Sequence, residues 1–141
     1  MSTSYLSAFR GSFVGILRWP MFDRLWQTIR TDPTGWYIYT VGETFPEETL
    51  SARDFIQFID NLDRMLRDQH REDYCGVVYA DNLSSPSMIK VFNPNNLGVS
   101  CGYSENPPLP GWVLSKLKPI DLMIAFPRTK NSQHWWRRLV R

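Results

Sequence analysis

The stretch "SARDFIQFIDNLDRMLRDQHREDYCGVVYA", Ser51 to Ala80, decides how this chain folds. Its first two-thirds repeat apolar residues at helical spacing: Phe55, Ile59, Leu62 and Leu66 form one stripe, joined by Phe58 and Met65. Asp60, Asp63, Arg64, Arg67 and Asp68 occupy the other side, the arrangement of an amphipathic helix laid on an apolar surface. Ser51 and Asp54, three residues apart just before the stripe, are a capping signal for its start. Past His70 the period changes. "YCGVVYA" is a strand-like run, so a helix is followed at once by the sheet it covers.

Downstream, "MIKVF" is a second strand beyond a polar loop containing Pro86, and "GVSCGYS" a third beyond the turn "NPNNLG". "GWVLSKLKPIDLMIAF" begins as an alternating strand, with Trp112, Leu114 and Lys116 on one side and Val113, Ser115 and Leu117 on the other; Pro119 interrupts it. Upstream, "WYIYTV" is dense in aromatic and β-branched residues and reads as a strand after the turn "DPTG". Leu6, Phe9, Phe13 and Ile16/Leu17 recur at helical spacing and predict a first helix ended by Pro20. "MFDRLWQTIRT" predicts a second through Phe22, Leu25, Trp26 and Ile29. Strands joined by short connections pair antiparallel. The expected class is therefore α+β: one antiparallel sheet of four to five strands, one amphipathic helix on a face, and two helices before it.

The chain of 141 residues is read as a single domain, with residues 1–31 a helical N-terminal segment and 128–141 a basic aromatic tail. Apolar residues make up 43% and aromatics 14%, enough for a packed core. The net charge of +2 names no polyanionic partner, but the charges are segregated. Glu43 to Asp73 holds nine acids against four bases, and Lys90 to the end eight bases against two acids. A chain polarised in this way can steer a charged partner or associate head to tail. The N-terminus lacks a basic leader region, and Arg10 and Arg18 interrupt its apolar residues, so neither a secretory signal nor a transmembrane segment is expected. The expected address is cytoplasmic.

Two cysteines, Cys75 and Cys101, each precede a glycine. With only two histidines to join them, at His70 and His134, no metal site is expected, and no cofactor. A thiol enzyme or redox protein would use Cys101 or Cys75 as nucleophile, His70 as base and Asp81 or Glu105 as orienting acid. The ordinary alternative makes the cysteines small core residues and Asp81 a turn cap. The chain has no phosphate-binding loop, nucleophile elbow or metalloprotease motif.

"GYSENPPLPGW" is the most unusual local feature: Pro107, Pro108 and Pro110 stiffen a segment carrying Tyr103, Leu109 and Trp112. It suits recognition of a partner, or it turns the chain while Leu109 and Trp112 plug the core. The tail adds Trp135, Trp136, Arg137 and Arg138, suited to an anionic surface; weak peripheral membrane contact is open to it, while nucleic acid is not an expected partner. The leading expectation is a small non-enzymatic accessory module that binds a protein partner or self-associates. Its contact residues would be Tyr103, Leu109, Trp112, Trp135, Trp136, Arg137 and Arg138.

Overall fold

The computed structural model describes residues 2–69, 74–93 and 109–126. Its elements run α1 (Ser2–Phe9), β1 (Val14–Arg18), α2 (Trp19–Arg30), β2 (Tyr37–Thr40), α3 (Ala52–Gln69), β3 (Tyr74–Ala80), β4 (Met88–Val91), β5 (Trp112–Ser115) and α4 (Leu122–Ala125). The strands form one sheet in the order β1-β3-β4-β5-β2, antiparallel at every pairing. The expected strand "GVSCGYS" and the tail 128–141 lie outside the described residues.

Helix α3 is the element foreseen from Ser51 onward. Ser51 Oγ accepts from Asp54 N–H at 3.1 Å, closing the cap, and Phe55, Ile59, Leu62 and Leu66 are buried. They pack with Ile16, Val78, Ile89, Val91 and Leu114 from one face of the sheet. Helix α2 shares that face through Phe22, Leu25, Trp26 and Ile29. Trp36 stacks on Phe55 with ring centroids 5.3 Å apart, and Trp26 Nε1–H donates to Asp63 on α3. Two helices, not one, therefore cover this face.

The opposite face has its own core. Alternation sends Met88 of β4 and Val113 of β5 there, while their neighbours Ile89 and Leu114 face α2 and α3. Tyr5 and Phe9 of α1 and Leu122 of α4 close over Tyr39, Met88 and Val113. Phe9 meets Phe126 at 5.4 Å, and the Arg10 guanidinium lies over the same Phe126 ring.

The predicted pair of helices ahead of the sheet is corrected at its first member. The helix ends at Phe9, and Val14–Arg18 is a strand of the sheet, so residues 1–31 are not a helical segment. Phe9, Phe13 and Leu17 are spaced by four, which mimics a helix, but Gly11 and Gly15 interrupt that run and lower its helical propensity. The alternative pattern, with Ile16 the one buried residue of the five, fits an edge strand. Pro20 does not end a helix. It sits in the first turn of α2, where its missing N–H costs no hydrogen bond.

Candidate functional site

Cys75 is fully buried and free, and burial pushes its thiol pKa up, with the Val77 and Val78 N–H groups pulling weakly the other way. The cause of this placement is a bulge. Val78 stands opposite Ile16 and Tyr74 opposite Arg18, so Cys75, Gly76 and Val77 together face Leu17. Gly76 takes φ 71°, a conformation that L side chains rarely adopt, and Cys75, Val77 and Val78 all join the same core. A buried, protonated thiol is a poor nucleophile. His70, Cys101 and Glu105 lie outside the described residues.

Asp81 spends its carboxylate on its own hairpin. Oδ1 accepts from Ser87 N–H at 2.9 Å and Met88 N–H at 3.1 Å, and Oδ2 accepts from the Ser87 hydroxyl. Two acids of α3 are similarly engaged: Asp60 with Arg30, and Asp63 with Arg67 and the Trp26 indole, while Arg67 also reaches Asp23. Among the described residues no group of acids, histidines or cysteines is placed to hold a metal ion. No described helix is long and apolar enough to cross a membrane.

Of the expected contact residues, Leu109 is only 7% exposed and belongs to the α1-side core. Trp112 is half-buried and packs against the α3-side core. Tyr103, Trp135, Trp136, Arg137 and Arg138 lie outside the described residues.

One ammonium stands apart. Lys90, central in the sheet, places Nζ 4.1 Å from the ring centroids of both Phe9 and Phe13, and burial pushes its pKa down to about 8. Cross-strand neighbours extend one row over this face: Gly15, Tyr79, Lys90, Val113 and Tyr39. Tyr39 Oη accepts from Leu122 N–H, while the buried Tyr5 hydroxyl has no partner among the described residues.

One edge of the sheet carries backbone groups that have no bond among the described residues. Asp81 N–H donates to Met88 O and Phe92 N–H to Val77 O, so the odd-numbered residues of β3 bond to β4. Val78 and Ala80 therefore turn their peptide groups to β1, where Ile16 and Val14 meet them. The peptide groups of Gly15 and Leu17 consequently point away from the sheet, and among the described residues none is engaged. Val14 and Leu17 on this strand are 43% and 59% exposed. Near the Val14 end, beyond Ala80, the hairpin carries exposed Leu83 over a groove of about 260 Å³, whose other walls include Met21, Leu25 and Thr28 of α2.

The β2 edge is more guarded. Val41 N–H donates to Gly111 O, which sets Tyr39 and Tyr37 as the residues bonded to β5 and turns Ile38 and Thr40 outward. Thr40 O is taken by Glu43 N–H, and Trp36 O by Leu50 N–H. The outward Ile38 peptide groups and the Thr40 N–H have no such bond among the described residues.

Compared with models of protein families, with curated proteins and with solved structures, the chain matches none. Reading the sequence overlooked the β1 edge because its residues were assigned to a helix. The signal was present in Gly11 and Gly15, which argue against a helix through Phe13 and Ile16.

Proposed function

We propose that this protein is a non-enzymatic binding module, an accessory or assembly factor of the cytoplasm, that recognises a protein partner or itself by adding an extended segment to β1. The observation that carries this reading is the outer edge of β1, where the Gly15 and Leu17 peptide groups have no bond among the described residues and the Val14 and Leu17 side chains are exposed. Open strand edges are templates for pairing, and proteins that do not use them commonly cover or charge them. Backbone bonds along such an edge supply affinity, while side-chain pockets beside it supply specificity. The groove between Leu83 and α2 would supply one such pocket near the Val14 end. Burial of Cys75 and the hairpin role of Asp81 weigh against the thiol-enzyme alternative.

Selection of displayed extended peptides against the full chain tests this. Binders should slow hydrogen exchange at the Gly15 and Leu17 amides and lose about tenfold or more in affinity on Leu17→Pro, which removes an outward N–H. Ile124→Ser, at an exposed residue of α4, should leave binding unchanged. Binders indifferent to Leu17→Pro would place recognition elsewhere and defeat the proposal.

A further inference from the structure

The two edges of the sheet differ in charge as well as in coverage. From Ser2 to Phe22 the chain has no acid and carries Arg10 and Arg18; this segment holds α1 and the β1 edge. From Thr31 to Ala52 it has no base and carries Asp32, Glu43, Glu47 and Glu48; this segment holds β2 and the loop after it. Asp32 is paired with Lys116 and Glu47 with Lys118, whereas exposed Glu43 and Glu48 have no ion pair among the described residues. Arg18 and Arg24, both exposed at the β1 side, likewise have none. Strand order puts β1, with Arg18, and β2, with the following loop that bears Glu43 and Glu48, at opposite ends of the sheet, so charges of opposite sign stand at its two edges.

We propose that the protein associates head to tail with a second copy of itself, the basic β1 edge of one molecule docking on the acidic β2 edge of the next. This rests on the strand-edge reading above and supplies the occupant. The outward Gly15 and Leu17 peptide groups of β1 meet the outward Ile38 groups and Thr40 N–H of β2. Every neighbouring pair in the five-stranded sheet is antiparallel, so β1 and β2 run in the same direction. A copy displaced without rotation therefore pairs parallel and keeps each core face level with its counterpart. Gly15 then comes level with the neighbour's Tyr39, where its N–H meets Ile38 O and its carbonyl meets the Thr40 N–H. The contact uses two different surfaces, and its growth is open or ring-closing rather than stopping at a two-fold dimer.

Sedimentation analysis of two edge-blocked chains tests the contact. Leu17→Pro closes the β1 edge and Thr40→Pro the β2 edge, each by deleting an outward N–H, and thermal unfolding checks that both remain folded. Wild type should form a concentration-dependent series of oligomers that dissociates as salt is raised. Each variant alone should be monomeric, and an equal mixture should form a dimer and stop there. Arg18→Glu and the double change Glu43→Lys, Glu48→Lys make the same test without proline: each alone should self-associate less than wild type, and their mixture should regain association. A Thr40→Pro chain that still dimerises alone would show β1 pairing with β1 and overturn the proposal. So would a wild type that stays monomeric at every concentration, while peptide binding at Leu17 would then still stand.

Discussion

At the scale of the residue, a buried hydroxyl and a half-buried ammonium set measurable costs. The Tyr5 hydroxyl is buried without a partner among the described residues, and burial beside Tyr39 holds its pKa well above the usual phenol value. An unsatisfied buried hydroxyl costs about 1–3 kcal/mol. Tyr5→Phe should therefore leave stability unchanged or raise it by about 1 kcal/mol in urea unfolding; a loss of that size would mean that the hydroxyl is bonded in solution. Lys90 gives a pH dependence. Its folded pKa of about 8 lies below the unfolded 10.5, so the unfolded chain holds the extra proton between those values, and this residue makes stability rise with pH across that window. Below about pH 8 both states are protonated and the full cost of burying the ammonium is present. The raised thiol of Cys75 and the raised phenols act oppositely, lowering stability above their unfolded values of 9.0 and 10.0. Comparison with Lys90→Met isolates the lysine. The variant should gain melting temperature relative to wild type at pH 7, and the gap should close between pH 8 and 10.5. A gap that does not change with pH would show that Lys90 is ordinary, its ammonium held by the Phe9 and Phe13 rings without cost.

At the scale of the element, α3 was legible because one long period of Phe55, Ile59, Leu62 and Leu66 left a single interpretation. Strands β2, β3 and β4 were legible as short runs of aromatic and β-branched residues, and β5 by its period of two, down to the side that each of its residues takes. Strand β1 was not. A five-residue edge strand with one buried residue carries too little pattern to outweigh the helix-like spacing of Phe9, Phe13 and Leu17. The bulge opposite it was equally hidden, although it decides that Cys75 is core. Trp112 belongs to this scale, because its aromatic ring was offered as a contact and the structure packs it on the α3-side core from β5. Trp112→Ala should lower stability by about 2–4 kcal/mol, seen as a shifted urea midpoint. An unmoved midpoint with a lost partner would return the residue to the role of surface anchor.

At the scale of the whole molecule, local pattern and long-range pairing contribute different things. The sequence by itself determined the α+β class, the amphipathic α3, the positions of β2 to β5, the alternation of β5 and the separation of charge, because each depends on periodicity or composition within a short window. Only the tertiary structure decided that β1 pairs with β3 across two intervening helices and a strand. It alone divided the apolar residues between two cores, one under α2 and α3 and one under α1 and α4. The candidate surface arises at the same level. Which peptide groups of β1 and β2 point outward follows from the hydrogen-bond phase of neighbours far away in sequence, set by Asp81 with Met88 and by Val41 with Gly111. Every residue carries the same backbone donor and acceptor, whatever its side chain, proline's missing N–H aside. An open edge therefore leaves little mark on composition, and it becomes visible only when the partner of each strand is known.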